Sequence, residues 1–372
     1  MGYKETVREK LDRIDGLYPP ERLEKSKERW RRLWANEPPL DRRPFTCAPV
    51  TLGYWDSSPR EQRLIDYLDE FICRGEAEDD FVPGMFAGCH QGGMASMFGA
   101  KTFEIYNEGV MDTNCERLLC DIDGIAGLQA PGLLPESVPY RWLNDDKWYM
   151  DVTDGRLPIH CVDCFGPLEI AGKLIGYDLL FAAAYEAPEL YDRLMNLAAD
   201  AFIMFWDAQQ ALCGDLFVTT ALQAYDWVPQ NMTNALGMDG LVMLSPDFFR
   251  ERTLPYIKRI ADRYGPITIH SCGWFKQLIP AICETPLING LHVSQMTLAE
   301  LADAGLDDNV VAVVYTNPDA IASDTKFAKE RGFRLNVSVG GLWKDNDPSK
   351  WDAADIRDVK ERVKRIVPYF YD

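Results

Sequence analysis

Short β-rich runs that alternate with amphipathic helical segments constrain the fold of this chain more than any other feature. The runs lie at residues 45–51, 78–83, 157–164, 215–222, 267–272, 290–295, 310–316 and 334–340. The helical segments include residues 187–213, 245–264, 297–304 and 317–330. Parallel strands that alternate with helices form α/β folds, and eight such units close into a barrel. The sequence therefore predicts an α/β chain folded as a (β/α)8 TIM barrel.

A doubly wound open sheet is the main competing architecture, since it also alternates strands with helices. That fold binds its cofactor at a Gly-rich phosphate turn after a strand, and no such turn follows any of the runs. Residues 1–40 are predicted to form a charged N-terminal helical extension, with Trp30 and Trp34 in a stripe against the rest of the chain. Residues 41–372 are predicted to form the barrel, with an insertion around 100–156.

The charge and hydropathy patterns exclude several classes of function. The chain has 58 acidic and 39 basic residues, and its net charge of −19 opposes binding to nucleic acid or to anionic lipid. No apolar stretch approaches the roughly 18 residues needed to cross a bilayer, and the charged start lacks the apolar segment of a signal peptide. We therefore expect a cytoplasmic protein. Ten scattered cysteines then indicate free thiols or metal ligands.

The strongest candidate for chemistry is the run at residues 267–274, ITIHSCGW. Side chains alternate along a strand, so His270 and Cys272 point to the same face. Gly273 marks the end of the strand, and active sites of barrels lie at the C-terminal ends of the strands. An imidazole and a thiolate together suit Zn²⁺. The alternative is that both residues fill the barrel core.

A second group of histidine and cysteine residues lies at the end of the third predicted strand. Either His160 and Cys164 or Cys161 and Asp163 face inward, because alternate residues of a strand share a face. Packing or hydrogen bonding is the expected role of this group. We place His292 near the start of its predicted strand, where a core histidine is expected.

Polar and aromatic residues also gather where the predicted strands end. Rings around a pocket suit a flat or apolar ligand. Almost no Lys or Arg lies there beyond Lys344, which argues against a ligand with many carboxylates or phosphates. Asp239 either reaches the same mouth or lies in a solvated loop. The residues expected to bind substrate are Tyr54, His160, Asp163, Asp226 and Tyr315.

Several segments resemble the uroporphyrinogen decarboxylase superfamily. The most specific are residues 244–256 (LSPDFFRERTLPY) and 269–273 (IHSCG). The turn Gly166-Pro167-Leu168 before a long helix and the opening at residues 41–44 (DRRP) are similar as well. The resemblance extends loosely over residues 40–368. It implies a (β/α)8 barrel, in agreement with the strand pattern.

The superfamily contains true decarboxylases and cobalamin-linked methyltransferases. The decarboxylases carry an Arg-rich stretch after the first strand that grips the porphyrinogen carboxylates, whereas residues 52–60 here read LGYWDSSPR and lack the arginine pair. The methyltransferase branch binds zinc through a His-x-Cys pair, which His270 and Cys272 match. The resemblance therefore favours the methyltransferase branch, with His270, Cys272 and Asp239 as the catalytic set.

The chain departs from that branch at the third zinc ligand. The branch has a cysteine in the Gly-rich turn of the last strand, whereas the turn at residues 338–342 here is SVGGL. A third ligand can come from Cys164, which we select, or from Asp163, His160 or Asp239. The alternative is that the metal has been lost.

The function implied by the resemblance is zinc-assisted methyl transfer between a small organic methyl donor and cobalamin. The corrinoid would be carried by a separate corrinoid protein that docks at the barrel mouth, in a methyltransferase or demethylase reaction. Two alternatives stay open. One is a decarboxylase-like lyase that needs no cofactor, and the other is a non-catalytic barrel that binds a corrinoid or another small molecule.

Overall fold

The computed structural model describes residues 2–47, 59–88, 92–107, 110–162, 164–221, 227–343 and 350–371. In these residues the helices are α1 (Tyr3–Leu17), α2 (Pro20–Trp34), α3 (Arg60–Ala77), α4 (Val138–Val152), α5 (Pro167–Ile175), α6 (Tyr177–Glu186), α7 (Pro188–Cys213), α8 (Pro246–Phe248), α9 (Leu254–Tyr264), α10 (Ile279–Cys283), α11 (Leu298–Asp303), α12 (Ile321–Arg331) and α13 (Ala353–Ile366). The strands are β1 (Thr46–Cys47), β2 (Thr102–Asn107), β3 (Val110–Cys115), β4 (Ile159–His160), β5 (Phe217–Val218), β6 (Asn234–Gly237), β7 (Ile267–Ser271), β8 (Ile288–Val293), β9 (Val311–Thr316) and β10 (Arg334–Val339).

The chain folds as a (β/α)8 barrel, as the sequence predicted. Its largest sheet has the order β1-β10-β9-β8-β7-β6, and every pair in it is parallel. Backbone hydrogen bonds continue around the ring, since Gly237 bonds both Cys164 and Gly166 at the end of the β4 segment. Met85 then pairs with Ile159, and the N–H of Asp80 donates to the carbonyl next to β1. Helices cover the outside of this ring.

Strand positions differ from the prediction where tertiary contacts outweigh local preference. The strand predicted at 78–83 pairs instead at Met85, because Asp79 and Asp80 are buried and bond backbone N–H groups near β1. In the run predicted at 215–222, residues 217–218 pair with β4 and Thr219 forms an antiparallel bridge with Val228. Strand β6 was not predicted. The run predicted at 290–295 begins two residues earlier, at Ile288.

The N-terminal helices pack against the barrel through the predicted tryptophan stripe. Trp30 and Trp34 are buried and form a cluster with Val311 and Val313 of β9. The indole N–H of Trp30 also donates to the carbonyl of Asp80 at 2.9 Å. A buried indole usually needs such a partner, and this bond ties α2 to the barrel wall.

The predicted insertion around 100–156 contains an antiparallel hairpin and a helix. Strands β2 and β3 pair with each other and join no barrel strand in the described part of the chain. Helix α4 packs on α7, where the rings of Trp142 and Phe205 meet edge to face with centroids 5.5 Å apart. The hairpin interrupts the alternation, whereas α4 supplies a helix of the barrel shell.

Capping residues fix the helix that follows β6. The side chain of Ser245 accepts a hydrogen bond from the N–H of Phe248 at 3.2 Å, and Pro246 occupies the first turn. A short π-helix at Phe249–Thr253 joins α8 to α9. The start of this helix follows the turn at Asp239, so the cap helps to position that turn.

No helix in the described ranges combines the length and the apolar character needed to cross a bilayer.

Candidate metal centre

His270 and Cys272 lie where β7 ends, at the C-terminal end of the barrel strands. His270 is the fourth of the five residues in β7, and Cys272 follows the last one. The imidazole Nε2 of His270 lies 3.4 Å from the Sγ of Cys272. His270 is 3% exposed, whereas Cys272 is half-buried. Alternate side chains of a strand share a face, and the contact between His270 and Cys272 agrees with the prediction that they point the same way.

Asp239 joins this pair from the neighbouring strand end. It opens the turn that follows β6, and the N–H of Met238 donates to the carbonyl of His270 at 2.7 Å. The carboxylate Oδ1 accepts the backbone N–H of Cys272 at 2.7 Å and lies 3.6 Å from Nε2 of His270. From the sequence, Asp239 was expected either at the barrel mouth or in a solvated loop. The structure places it at the mouth.

The spacing of these donor atoms fits a divalent cation such as zinc. One donor atom each from Asp239, His270 and Cys272 lies within 4.8 Å of the others. A tetrahedral zinc ion lies about 2.0–2.3 Å from its ligands, which puts neighbouring ligand atoms roughly 3.3–3.8 Å apart. The two distances from Nε2 of His270 fall within that range. Cys272 and Asp239 are half-buried, so one side of the group is open to a further ligand.

His292 lies directly behind His270. The two residues pair across β7 and β8, and their Nδ1 atoms are 2.8 Å apart. Burial lowers the pKa of His270, and the charge of Asp239 offsets part of this effect. Burial and the neighbouring His270 lower the pKa of His292 well below its usual value. Both rings are therefore neutral at pH 7, which leaves the Nε2 of His270 able to act as a ligand.

Glu169 supports the Asp239 turn from below. It lies in the first turn of α5, and its Oε1 accepts the backbone N–H of Gly240 at 2.7 Å. Burial raises the pKa of Glu169 well above its usual value, and the charge of Asp239 adds to this shift. This shift favours the neutral carboxyl group, which holds the turn without adding a charge beside Asp239.

Apolar and aromatic side chains form the described part of the rim. Val242 and Met243 follow Asp239 in its turn, and both are exposed. Trp274 follows Cys272 by two residues and is 59% exposed. The ring of Tyr315 meets that of His292 edge to face at 5.3 Å, and its side chain is also exposed. These surfaces favour a ligand with apolar or aromatic parts.

Two other sequence candidates, His160 and Cys164, lie outside this group. His160 is a core residue, since it is 1% exposed and its ring packs against Gly84, which argues against the prediction that it contacts substrate. Cys164 is fully buried and is not part of the three-donor group, in which Asp239 takes the position predicted for a third ligand. Tyr54, Asp163 and Asp226 lie outside the described residues.

Sequence reasoning missed two residues of the site. His292 is buried, as expected for a core histidine, but its strand was taken to begin at residue 290, so its position next to the end of β8 at Val293 was not recognised. The sequence signal was present, since Leu291-His292-Val293-Ser294 repeats the spacing of Ile269-His270-Ser271-Cys272. Glu169 carried no comparable signal, because its partner Gly240 is 71 residues away.

Residues 151–314 match the family model described as uroporphyrinogen decarboxylase (URO-D). Every residue of the three-donor group lies within this range, as do His292 and Glu169. The predicted resemblance to the uroporphyrinogen decarboxylase superfamily is confirmed. No curated protein matches the chain.

Among solved structures, the chain is similar to a methyltransferase from Methanosarcina mazei. The TM-score is 0.59, the two sequences are 15% identical, and the match covers 91% of this chain and 98% of the other. At this identity the likeness shows the fold alone. The shared fold extends over nearly the whole length of both chains.

Proposed function

We propose that this chain is a methyltransferase that transfers a methyl group between a small organic donor and a corrinoid carried by a separate protein. The observation that carries the proposal is the group formed by Asp239, His270 and Cys272 at the C-terminal end of the barrel strands. In this proposal the group holds Zn²⁺. The superfamily match and the methyltransferase fold of the structural neighbour support the same branch.

The charges of the three donors favour a divalent cation. A thiolate at Cys272 and a carboxylate at Asp239 carry two negative charges, and the neutral ring of His270 carries none. Within the described part of the chain, no lysine or arginine forms an ion pair with Asp239, whose carboxylate lies 3.6 Å from the neutral ring of His270. A bound Zn²⁺ would balance the two charges, and when bound it would polarise the group that gives or receives the methyl.

Each of the three residues is held in position by the barrel itself. His270 is buried in β7, and its carbonyl is tied to the β6 end by the N–H of Met238. Asp239 is fixed by the backbone N–H of Cys272. The Sγ of Cys272 lies 3.9 Å from the hydroxyl oxygen of Ser294, to which its S–H donates. Such preorganised ligands leave one open side, as zinc sites that act in catalysis require.

The rim supports an apolar or aromatic methyl donor with little charge. Trp274 and Met243 offer exposed apolar surface beside Cys272 and Asp239, and Tyr315 stands next to His292. A substrate with many carboxylates would need several basic partners. The segments outside the described residues contain Lys344 as their single Lys or Arg. These features count against a porphyrinogen as the substrate and hence against the decarboxylase alternative.

Zinc analysis of the purified protein tests the metal centre. We expect about one zinc per chain in the wild type and loss of that zinc in His270→Ala. Cys272→Ser should lower the zinc content as well, whereas Cys120→Ser, at an exposed cysteine outside the group, should not. A wild type that binds no zinc would contradict the metal centre.

Absorbance of a corrinoid probe tests the reaction. With cob(I)alamin and 2-methoxyphenol, the cobalt electron pair forms the new bond to the methyl carbon, while the bond from that carbon to oxygen breaks. The phenolate leaves and takes up a proton, and the spectrum changes to that of methylcobalamin. We expect this change with the zinc-loaded wild type and a large loss in Cys272→Ser. Binding of the corrinoid without transfer from any donor in a panel of methyl ethers, methylamines and methanol would favour a non-catalytic binding barrel.

A further inference from the structure

His270 and His292 form a pair of imidazole rings on neighbouring strands. They are register partners in β7 and β8, and their ring centroids lie 4.7 Å apart at an angle of 32°. Their Nδ1 atoms are 2.8 Å apart, which is the distance of a hydrogen bond. One Nδ1 must therefore carry the hydrogen and the other must accept it.

The direction of this hydrogen bond decides which nitrogen of His270 can bind a metal. A neutral imidazole carries one hydrogen, and the nitrogen without it offers the lone pair. The Nε2 of His270 faces Cys272 and Asp239, whereas its Nδ1 faces His292. When Nε2 gives its lone pair to a metal, the hydrogen of His270 is on Nδ1. The Nδ1 of His292 must then accept it.

We propose that His292 is a positioning residue, which accepts the hydrogen bond from His270 Nδ1 and so fixes the His270 ring with Nε2 towards the metal. This inference rests on the proposed metal centre. The residue behind a metal-bound histidine usually contributes a carboxylate, a carbonyl or a water, and its loss commonly weakens metal binding 10–100-fold. Here a second imidazole takes that place.

The surroundings of His292 leave it no other hydrogen bond within the described residues. Its Nε2 is buried and has no partner there, so the bond to His270 is the one that its ring makes. The edge-to-face contact with Tyr315 packs the ring on another side. His292 has no exposed surface, which keeps it out of direct contact with a ligand at the mouth. Its effect on the site must therefore pass through His270.

Two substitutions of similar size separate positioning from packing. His292→Asn places an amide oxygen near the former Nδ1, so that it still accepts from His270, whereas His292→Leu removes the acceptor. We expect the zinc dissociation constant, measured by competition with a chelator, to rise roughly 10–100-fold in His292→Leu. In His292→Asn it should stay within about threefold of the wild type. Thermal unfolding of the zinc-free proteins shows whether both variants are folded.

The outcomes distinguish this inference from the metal centre itself. A wild type that binds no zinc overturns both. A wild type that binds zinc, together with a His292→Leu variant of unchanged affinity, overturns the role of His292 alone. Equal losses in the Asn and Leu variants also overturn it, because a residue needed only for packing would respond in this way.

The wild type provides a measurement that does not depend on the variants. In the zinc-loaded protein, ¹⁵N chemical shifts of the ring nitrogens report which of them carry hydrogen. We expect hydrogen on the Nδ1 of His270 and on the Nε2 of His292, with the Nδ1 of His292 unprotonated. Hydrogen on the Nδ1 of His292 would overturn the inference even if both variants failed to fold.

Discussion

The backbone N–H of Cys272 donates a 2.7 Å hydrogen bond to the Oδ1 of Asp239, so two of the three donor residues are tied to each other before any metal binds. This bond joins the turn after β6 to the end of β7. Because the donor is a backbone group, the bond does not depend on the side chain of Cys272. It explains how a residue 33 positions away in sequence is held beside the His-x-Cys pair.

Asp239→Asn is expected to weaken zinc binding without disturbing the turn. The amide oxygen of Asn can still accept the N–H of Cys272, but the substitution removes one of the two negative charges that would balance Zn²⁺. We expect the zinc dissociation constant to rise roughly tenfold or more, because loss of a direct ligand should cost at least as much as loss of a supporting contact. Chelator competition measures this change. The matched control is Asp247→Asn, at an exposed aspartate in the helix that follows. Equal affinities of Asp239→Asn and wild type would remove Asp239 from the ligand set.

Gly273→Ala is expected to destabilise the end of β7. Gly273 has a φ of +85°, a backbone conformation that residues with a Cβ rarely adopt. An added Cβ would also lie 2.9 Å from Cγ1 of Val242. The left-handed conformation costs about 1–2 kcal/mol, while the exposed Val242 can move away. Thermal unfolding should therefore show a lower melting temperature. Val242→Ala added to the variant should restore little of it, because the backbone conformation is the larger cost.

The control for this effect is Gly340→Ala. Gly340 follows β10, another strand of the same sheet, and has no positive φ. An added Cβ there would meet its nearest atom, the carbonyl oxygen of Thr316, at 3.7 Å. We expect little change in stability. Similar melting temperatures for the two alanine variants would mean that the positive φ of Gly273 does not make the alanine substitution destabilising.

Glu169 provides a prediction that separates its hydrogen bond from its charge. Burial raises the pKa of Glu169 and so favours its neutral form, which Glu169→Gln resembles in shape and charge. Glu169→Leu leaves the buried N–H of Gly240 without its partner, which costs about 1–3 kcal/mol. We expect wild-type zinc affinity and melting temperature in the Gln variant, and losses of both in the Leu variant. A Gln variant as impaired as the Leu variant would show that the ionised form of Glu169 is needed.

The sequence predicted those parts of the fold that depend on local periodicity. Helix α7 begins at Pro188 and ends at Cys213, within one residue of the predicted 187–213, because its apolar spacing extends over seven turns. The tryptophan stripe of α2 was recognised for the same reason. Strand β6 was missed because Asn234-Ala235-Leu236-Gly237 has no β-branched residue, and its neighbours in the sheet hold it in place.

The site was predicted in part, for the same physical reason. Residues 270 and 272 share a face because of the strand period, which is a local property. The location of Asp239 was not decided from the sequence, because it depends on a hydrogen bond from a backbone N–H 33 residues away. The place of His292 beside His270 depends on the register of β8 against β7, and an error of two residues in the predicted start of the strand concealed it. Cys164 was selected as the third metal ligand on its residue type, which does not show how far it lies from His270 and Cys272.

Asp146 is expected to make the stability of the protein fall as pH rises towards 8. It is fully buried in α4, and its Oδ2 accepts a hydrogen bond from Gln209 at 2.7 Å. Burial raises its pKa from 3.8 to about 8. In the unfolded chain the carboxyl group ionises near pH 4, so between about pH 4 and 8 the folded state holds a proton that the unfolded state has lost. The contribution of this group is therefore complete below pH 4 and is lost as pH rises to about 8.

Asp146→Asn tests this dependence, because an amide resembles the neutral carboxyl group at every pH. The free energy of unfolding of the wild type, relative to that of the Asn variant, should decrease by about 1 kcal/mol per pH unit between pH 5 and 8. Urea unfolding at several pH values measures the slope, which is unaffected by any constant cost of burying the amide. The control is Asp151→Asn, at an exposed aspartate of the same helix, whose curve should run parallel to that of the wild type. Parallel curves for Asp146→Asn as well would mean that Asp146 is ionised in the folded protein, with its charge balanced by a group other than Gln209.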